Sequence, residues 1–190
     1  MDTDLFKAVN ELAKDTAWLH GSARFYATTL GPALLALLVL VAVWVARSRP
    51  DADLAQAGWA GLAPLLAVPL NQPLVHLVDR ARPYTALSGV LVLTHRSADA
   101  SFPSDHSVLA GAVLAALWLL DRRLGALATV VGLLLAASRV YVGAHYPGDV
   151  LAGLAFGAAV ALAGWWVLRG LLTAFVTRVR ATRLGALLTA

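Results

Sequence analysis

The sequence predicts an all-α, polytopic membrane helix bundle with about five transmembrane helices and an N-terminal interfacial helix. Hydrophobic residues make up 59% of the 190 residues, only 14% are charged, and the mean hydropathy is +0.73. These values are not those of an ordinary soluble domain. A helix of about 20 apolar residues crosses the roughly 30 Å hydrocarbon core of a bilayer. Because the charged residues are clustered, the long uncharged runs between them are the candidate spans.

Three uncharged runs have spanning length, namely residues 25–46, 54–78 and 150–168. Two further runs, residues 107–120 and 124–138, are shorter and reach spanning length only if polar residues at one end belong to the helix. In the first of these the polar residues are 104–106, and in the second the polar residue is Arg139. Two of the five predicted helices therefore carry polar groups at one tip.

The leader, residues 1–24, precedes the five-span core, residues 25–168, and is mixed in charge rather than apolar. This composition does not fit a secretory signal peptide. Leu5, Val9 and Leu12 recur at roughly helical spacing. The pattern indicates either an amphipathic helix that lies in the membrane interface or a solvated helical leader without a role.

The tail, residues 169–190, mixes leucines with arginines and is interpreted as a basic amphipathic helix. Its arginines, which contribute to the net charge of +4, are Arg169, Arg178, Arg180 and Arg183. On a membrane protein such a segment more often binds anionic lipid headgroups than nucleic acid. We therefore expect membrane lipids, and no nucleic acid, among the partners of a single domain over residues 1–190.

The distribution of basic residues predicts which way the helices cross the membrane. Five spans place the two termini on opposite sides. One side collects the arginines of residues 47–49, of residues 122–123 and of the tail, several of them in short loops. The positive-inside rule assigns this side to the cytoplasm. The leader and the long loop at residues 79–103 are then expected to face outward.

Three polar clusters fall at the outward ends of the predicted helices. They are Asp79-Arg80-Ala81-Arg82-Pro83 after the second span, ASFPSDHS at residues 100–107 before the third, and Arg139, His145 and Asp149 around the turn between the fourth and fifth. A single arginine can simply anchor a helix end in the interface. Charged groups near hydrocarbon are costly and usually functional. Three clusters on one face, with two histidines among them, therefore predict a site.

The second cluster is suited to binding a phosphate group. Ser104 is a natural N-cap, and the first N–H groups of the helix that follows have no intrahelical partner. Such a helix end binds phosphate through these donors and the helix dipole. His106 lies in the first helical turn, near that position. Arg82 and Arg139 add planar guanidinium groups that match phosphate oxygens.

The third cluster contains a candidate nucleophile. Pro147 suits the first position of the fifth helix, and Asp149 follows His145 by four residues. This spacing lets the carboxylate accept a hydrogen bond from one imidazole nitrogen, which leaves the other nitrogen unprotonated. Two histidines and two arginines in this arrangement suit phosphoryl transfer through a phosphohistidine.

A metal site is the competing interpretation of the same residues. His145 and Asp149 could supply two ligands and His106 a third. However, the carboxylate nearest to His106 in the sequence is that of Asp105, and the arginines would repel a cation. The chain also has no cysteine for a thiolate site or a disulfide. We therefore expect no metal and no other cofactor.

The same residues resemble the three-part signature of the type-2 phosphatidic acid phosphatase superfamily. The matching segments are Arg82-Pro83, PSDH at residues 103–106 and SR-x5-H-x3-D from Ser138 to Asp149. The surrounding stretches NQPLVHLVDRARPY and VGAHYPGDVLAG are similar to those of bacterial undecaprenyl-diphosphatases of the bacitracin-resistance type.

The resemblance implies a lipid phosphatase with a histidine nucleophile. By this resemblance His145 is the nucleophile, His106 is the general acid for the leaving group, and Asp149 orients His145. It also implies that the phosphate is held, without a required metal, by Arg82, Ser104, the Asp105 backbone and Arg139.

Two positions depart from the superfamily pattern. Its first signature begins with a lysine seven residues before the arginine, and here that position is Val75. Arg80 is the nearest residue that could supply the missing positive charge to the phosphate, and the alternative is that Arg80 pairs with Asp79. Asp105 stands where many members have glycine. Because a carboxylate beside a phosphate is costly, we expect the Asp105 side chain to point away, toward an arginine.

Together these features predict hydrolysis of undecaprenyl (polyprenyl) diphosphate to the monophosphate through a phosphohistidine. The reaction would occur on the extracytoplasmic face of the bacterial cell membrane and recycle the lipid carrier of cell-wall peptidoglycan. One alternative is a broader lipid phosphatase that acts on phosphatidic acid, phosphatidylglycerol phosphate or a prenyl-linked sugar phosphate. Another, of a different class, is a catalytically silent membrane protein that binds or transports lipid phosphates.

Overall fold

The computed structural model describes residues 1–182, so that Arg183 and the rest of the predicted tail lie outside the described residues. Within residues 1–182 all regular secondary structure is helical. The helices are α1 (Asp2–Asp15), α2 (His20–Phe25), α3 (Gly31–Ala46), α4 (Asp51–Val78), α5 (Pro83–Ala86), α6 (Asp105–Leu120), α7 (Arg122–Tyr141) and α8 (Pro147–Arg180). This architecture confirms the prediction of an all-α membrane helix bundle.

Four helical segments of the described chain are long and apolar enough to cross a membrane. They are Ala17–Ala46, Asp51–Ala86, Arg122–Tyr141 and Pro147–Arg180. The first consists of α2, α3 and the short 3-10 and π turns beside them. Helix α6 has 16 residues and is about 24 Å long at 1.5 Å per residue, which is less than a full span. The predicted membrane helices are therefore present, the third of them as a short apolar helix.

Helix α6 lies at the centre of the bundle, in contact with α3, α4, α7 and α8. It approaches α8 closely because glycines line their crossing. A Cβ on Gly153 would lie 2.6 Å from the Ser104 carbonyl oxygen, and a Cβ on Gly157 would overlap the Val108 carbonyl oxygen. Small residues four positions apart allow membrane helices to pack backbone against backbone. The crossing therefore holds the first turn of α6 against the beginning of α8.

Polar side chains of α4 attach it to the same two helices. Gln56 donates its Nε2 hydrogen to the Ala116 carbonyl of α6 at 2.9 Å. Trp59 donates its Nε1 hydrogen to the Ala161 carbonyl of α8, also at 2.9 Å. Hydrogen bonds between membrane helices add to the packing that holds them together. Helices α4, α6 and α8 thus form a connected unit.

Helix α4 ends at Asp79, at the same end of the bundle as the start of α6. Asp79 has a left-handed backbone conformation with φ of 43°, and its N–H group donates to the Val75 carbonyl at 3.0 Å. A left-handed residue commonly closes a helix. The turn directs the chain from α4 into the segment that carries Arg80 and Arg82.

The opposite end of the bundle contains the predicted basic clusters. Arg180 donates to Asp51 Oδ1 at 2.6 Å and to the carbonyl oxygens of Arg47 and Arg49 at 2.7 and 3.1 Å. Arg49 pairs with Asp121 at 3.3 Å. These contacts join the end of α8 to the α3–α4 connection and the latter to the α6–α7 connection.

Helix α8 continues past residue 168, the predicted end of the last span. The sequence predicts that the span ends at residue 168 and that a basic surface helix begins at residue 169. Instead, one helix of 34 residues continues to Arg180. A single interior glycine such as Gly170 is tolerated in a helix, and no proline interrupts the segment after Pro147.

Helix α1 is docked on the bundle rather than solvated on all sides. Its Phe6, Asn10 and Ala13 are buried, and the helix contacts α7 and α8. Leu5 and Leu12 are more than half exposed, at 55% and 56%, and lie on an apolar groove between α1, α2, α7 and α8. One buried face and one exposed apolar edge are the features of a helix at a membrane interface.

Candidate active site

The three predicted polar clusters meet around the N-termini of α6 and α8. Ser104 is the N-cap residue of α6, as the sequence predicts, and His106 lies in the first turn of that helix. Asp149 lies in the first turn of α8, and Arg139 lies in the last turn of α7. The exposed fractions of Ser104, Arg139, His145 and Asp149 are 0%, 7%, 3% and 0%. The site is therefore a buried polar cluster at one end of an apolar bundle.

A glycine shapes the turn that carries His145. Gly143 has a φ of 78°, a left-handed conformation that side chains rarely adopt. A Cβ at this position would overlap the Leu91 carbonyl oxygen of the neighbouring loop. The next residue, Ala144, donates its N–H to the Arg139 carbonyl at 3.1 Å. The turn thus connects the end of α7 directly to the imidazole.

The contacts of the His145 ring define its tautomer. Nδ1 lies 2.8 Å from the Ser101 carbonyl oxygen, and Nε2 lies 3.2 Å from Arg82 Nη1. A carbonyl oxygen only accepts hydrogen bonds and a guanidinium only donates them. Nδ1 therefore carries the proton, and Nε2 presents its lone pair toward Arg82. An imidazole in this state has an unprotonated nitrogen available as a nucleophile.

Burial lowers the pKa of His145 below its usual value. The nearby Asp149 carboxylate opposes this shift, and the positive charges of Arg82 and Arg139 reinforce it. The ordinary pKa of a histidine is about 6.5. A pKa below that value keeps the ring neutral near pH 7, in agreement with the tautomer that the contacts define.

Asp149 does not bind His145 directly, which corrects the hydrogen bond expected from the four-residue spacing. The His145 Nδ1 to Asp149 Oδ2 distance is 3.8 Å, which is too long for a hydrogen bond. The carboxylate instead accepts hydrogen bonds from the Ser101 hydroxyl, from the Tyr146 N–H at 2.9 Å and from Arg80 Nη1 at 2.7 Å. Asp149 is therefore connected to the imidazole through Ser101.

Ser101 is a site residue that the sequence analysis did not identify. Its carbonyl oxygen accepts from His145, its hydroxyl donates to Asp149, and its N–H donates to the Arg80 carbonyl at 2.7 Å. The side chain is fully buried. Ser104 is recognisable as the residue before a predicted helix, whereas nothing in the segment ASFPSDHS marks Ser101, whose contacts appear only when α8 is packed beside the loop.

Several donors lie at or beside the N-terminus of α6, the space in which the sequence predicts a phosphate. The Ser104 hydroxyl and the Arg139 Nε have no hydrogen-bond partner among the described residues. Within residues 1–182 Ser104 makes no side-chain capping bond, and Arg139 donates only through Nη1, to the Ala27 carbonyl at 3.3 Å. The first N–H groups of α6 also lack intrahelical partners. Unpaired buried donors of this kind are rare in proteins, and they suit an anion.

Asp105 points its side chain away from this space. Its carboxylate accepts from Asn71 Nδ2 at 2.7 Å and from Gln72 Nε2 at 3.3 and 3.4 Å. Both partners are carboxamide side chains of α4. The prediction that Asp105 points toward an arginine is therefore wrong. The carboxylate of Asp105 is therefore turned toward α4, and its negative charge does not lie beside the backbone N–H groups at the start of α6.

Arg80 binds two carboxylates instead of reaching the phosphate space. Its Nη1 is 2.7 Å from Asp149 and its Nη2 is 2.7 Å from Asp2, while the guanidinium carbon lies 3.9 Å from the centre of the Tyr146 ring. Val75, at the lysine position of the superfamily pattern, is buried with 6% exposure. This placement differs from the prediction that Arg80 substitutes for that lysine, and from the alternative pairing with Asp79.

His106 lies close enough to the arginines of the site to interact with their charges. It is partly buried, and the positive charges of Arg139 and Arg82 act on its ring. Within residues 1–182 no three His, Asp or Glu side chains are grouped as metal ligands. His106, His145 and Asp149 therefore do not form the tridentate set that the metal alternative requires.

Comparisons with known proteins place this chain among membrane phosphatases. The model of the PAP2 superfamily matches residues 56–172. Undecaprenyl-diphosphatase BcrC of Bacillus subtilis is 33% identical over 155 residues, which cover 81% of this chain and 77% of that protein. Lipid A 1-phosphatase of Rhizobium etli is 36% identical over 143 residues, covering 68% of this chain and 55% of that protein. The crystal structure of a transmembrane PAP2 type phosphatidylglycerolphosphate phosphatase from Bacillus subtilis aligns with a TM-score of 0.62 at 26% identity, over 96% of this chain and 87% of that one.

Proposed function

The chain belongs to the PAP2 superfamily, and on that basis we propose that it hydrolyses undecaprenyl diphosphate, or a similar polyprenyl diphosphate, to the monophosphate and inorganic phosphate. It is a multi-pass membrane phosphatase. The substrate is suggested by the Bacillus subtilis relative, an undecaprenyl-diphosphatase that matches most of this chain.

The state of the His145 imidazole is the observation that carries the proposal. Its unprotonated Nε2 faces Arg82 Nη1 at 3.2 Å, while Nδ1 is hydrogen-bonded to a backbone carbonyl. Arg139 Nε and the Ser104 hydroxyl are buried with no partner among the described residues. A phosphoryl group held by these donors would lie next to the nucleophilic nitrogen.

In the first step His145 Nε2 attacks the terminal phosphorus of the diphosphate. The Nε2–P bond forms as the bond between that phosphorus and the bridging oxygen breaks, and His106 donates a proton to the leaving polyprenyl monophosphate. The proton on Nδ1 stays there, in its hydrogen bond to the Ser101 carbonyl oxygen. Arg82, Arg139 and the N-terminus of α6 stabilise the negative charge on the transferring oxygens, which is the main catalytic requirement of phosphoryl transfer.

In the second step water releases the phosphate from the histidine. His106, now unprotonated, accepts a proton from the attacking water. The new P–O bond forms while the Nε2–P bond breaks, which yields inorganic phosphate and restores both histidines to their starting states. No net proton is left on the protein.

An apolar groove beside the site supports a substrate with a hydrocarbon chain. The groove runs between α1, α2, α7 and α8, and Tyr141 and Pro147 line its end near the site. An apolar chain in this groove would leave its charged head at the N-termini of α6 and α8. A long polyprenyl tail and a diphosphate head match these two surfaces.

The distribution of arginines supports an orientation with the site on the extracytoplasmic face of a bacterial inner membrane. Arg47, Arg49 and Arg180 are linked at the end of the bundle opposite to the site. The positive-inside rule assigns that end to the cytoplasm. Hydrolysis outside would return the monophosphate form of the cell-wall lipid carrier.

A comparison of substrates tests the proposal. Purified protein in detergent or nanodiscs is assayed for phosphate release from undecaprenyl diphosphate and from phosphatidic acid, with kcat/KM measured for both. We expect the diphosphate to be preferred by at least tenfold, about 1.4 kcal/mol of transition-state binding. The His145→Ala variant is the negative control for contaminating phosphatases.

A broader lipid phosphatase is the second candidate, because one relative is named as a lipid A 1-phosphatase and one structural neighbour as a phosphatidylglycerolphosphate phosphatase. Equal or higher kcat/KM on phosphatidic acid would favour this candidate. Phosphate release from neither lipid by the wild type would contradict both.

A further inference from the structure

The first turn of α1 is attached to the active site by a charged contact. Asp2 Oδ2 accepts from Arg80 Nη2 at 2.7 Å, and Asp2 Oδ1 accepts from the Gly148 N–H at 2.8 Å. The other end of the same guanidinium, Nη1, donates to Asp149 Oδ1 at 2.7 Å. One arginine therefore connects a residue of the leader to the buried carboxylate of the site.

The order of contacts continues from Asp149 to the nucleophile. The second oxygen of Asp149 accepts from the Ser101 hydroxyl, and the Ser101 carbonyl accepts from His145 Nδ1. The Ser101 N–H donates to the Arg80 carbonyl, so Arg80 holds Ser101 through its backbone as well. A chain of hydrogen bonds thus runs from Asp2 to the imidazole, and the three residues between them are Arg80, Asp149 and Ser101.

Asp149 needs a positive partner because its side chain is completely buried. An unpaired buried carboxylate is costly, and Arg80 supplies the opposite charge. Arg80 is itself 30% exposed, and a long exposed side chain has many rotamers. Two further contacts restrict it, the Asp2 carboxylate and the face of the Tyr146 ring at 3.9 Å.

The position of Asp2 is fixed by the docking of α1. Phe6, one helical turn later, is fully buried and packs edge-on against Tyr146 with ring centres 5.4 Å apart. Asn10, a further turn along, exchanges two hydrogen bonds with the backbone of Leu91. Contacts at successive turns of one helix face hold the carboxylate of Asp2 over the beginning of α8.

We propose that Asp2 is a positioning residue of the phosphatase site, which holds Arg80 against Asp149 and thereby sets the orientation of Ser101 and His145. The leader helix is, on this inference, a part of the catalytic unit rather than only a membrane-surface anchor. The inference rests on the proposed role of His145 as the nucleophile. It requires no particular lipid as substrate.

Substitution of Asp2 tests the inference. In Asp2→Ala the guanidinium of Arg80 loses one of its two carboxylates, so the imidazole is less well aligned for attack. We expect kcat to fall by about five- to thirtyfold with KM changed by less than about twofold, since the phosphate-binding donors are untouched. Asp2→Glu, which keeps the carboxylate, should recover part of the lost kcat, whereas Asp2→Asn should not.

Asp4→Ala is the matched control on the same helix. Asp4 is also in the first turn of α1, but it is exposed and pairs only with the N-terminal amine at 2.7 Å. Its loss should leave both constants within about twofold of the wild type. Thermal unfolding of Asp2→Ala and Asp4→Ala in detergent shows whether α1 remains docked in each.

A double-mutant cycle with Arg80→Gln distinguishes positioning from general damage. If Asp2 acts only through Arg80, the double variant Asp2→Ala/Arg80→Gln should be no slower than Arg80→Gln alone, because the two side chains are members of one chain of contacts. Multiplied losses in the double variant, a rise of KM with unchanged kcat, or wild-type kinetics of Asp2→Ala would each overturn the inference.

The assay uses whichever lipid the wild type turns over faster. A preference for phosphatidic acid would defeat the proposed polyprenyl substrate and leave the test of Asp2 intact. Conversely, normal turnover of undecaprenyl diphosphate by Asp2→Ala would defeat the role of Asp2 and leave the proposed function intact.

Discussion

The Asp149 carboxylate and the His145 imidazole are 3.8 Å apart at their nearest atoms and are connected through Ser101, whose hydroxyl binds the carboxylate and whose carbonyl binds the ring. The acidic residue is therefore hydrogen-bonded to the loop that binds the histidine. In a serine-protease triad the acid binds the histidine directly. The difference determines which substitutions should affect the chemical step.

Replacing Ser101 with Ala should lower kcat by about tenfold, or roughly 1.4 kcal/mol of transition-state stabilisation. The alanine keeps the carbonyl that binds Nδ1 but loses the hydroxyl that ties the loop to Asp149. KM should change little because Ser101 does not face the phosphate. Steady-state kinetics on a lipid phosphate measure both constants, and Ser88→Ala, an exposed serine in the same loop, is the control. Wild-type kcat in Ser101→Ala would show that Asp149 does not act through Ser101.

Replacing His145 with Ala should abolish turnover while the protein still folds and inserts, since helix packing does not depend on the imidazole. Rapid quenching of the wild type with a lipid substrate carrying radiolabelled phosphate should trap a phosphoenzyme that is stable to alkali and labile to acid. The variant should form none. Near-normal activity in His145→Ala would rule out the nucleophile assigned to the site.

Replacing His106 with Ala should have a larger effect on a monoester than on a diphosphate. A general acid contributes most when the leaving group is a poor one. Phosphatidic acid expels an alkoxide, whereas a polyprenyl diphosphate expels a phosphate that needs less protonation. We expect kcat to fall by about 10²–10⁴-fold on phosphatidic acid, the usual range for general acid catalysis, and by clearly less on the diphosphate. Equal losses on both substrates would indicate that His106 binds the phosphate instead of protonating the leaving group.

The acidic limb of the pH profile should lie below the ordinary histidine value. Burial lowers the pKa of His145, and the nucleophile must be unprotonated to attack. Activity should therefore persist as the pH falls through about 6.5 and decline only at lower pH. The profile of kcat/KM is compared between a monoester and a diphosphate, so that ionisation of the substrate is separated from that of the enzyme. A substrate-independent midpoint at or above 6.5 would contradict a neutral, buried His145.

Exhaustive chelation should leave activity within about twofold of the untreated enzyme. Guanidinium groups and the N-terminus of α6 supply the positive charge that a metal ion would otherwise provide. The measurement is turnover after dialysis against EDTA and then with single divalent ions restored. Loss of activity with rescue by one ion would revive the metal interpretation of His106, His145 and Asp149.

Much of the bundle follows from the sequence because it depends on local properties of the chain. Length and hydropathy of uncharged runs predict membrane helices whatever their neighbours are. Ser104 and Pro147 occupy the helix-start positions that their chemistry favours. The clustering of polar residues at the same ends of successive helices predicts the site, since antiparallel spans bring alternate connections together.

The close crossing of α6 and α8 also has a signal in the sequence. Gly153 and Gly157 are four residues apart, the spacing of small residues at close membrane helix contacts. This spacing does not indicate which helix the two glycines contact. That it faces Ser104 and Val108 depends on how all the helices pack.

The tertiary structure alone decides the contacts of Arg80. From the sequence, its neighbours are Asp79 and the phosphate signature, whereas its actual partners are Asp2 and Asp149, 78 and 69 positions away. Ser101 and Asp2 are likewise ordinary loop and leader residues until the fold brings them together. Side-chain direction and long-range packing are not encoded in spacing along the chain. The sequence therefore determines which chemical groups gather at this end of the bundle, and the packing of α1, α6 and α8 decides which of them touch.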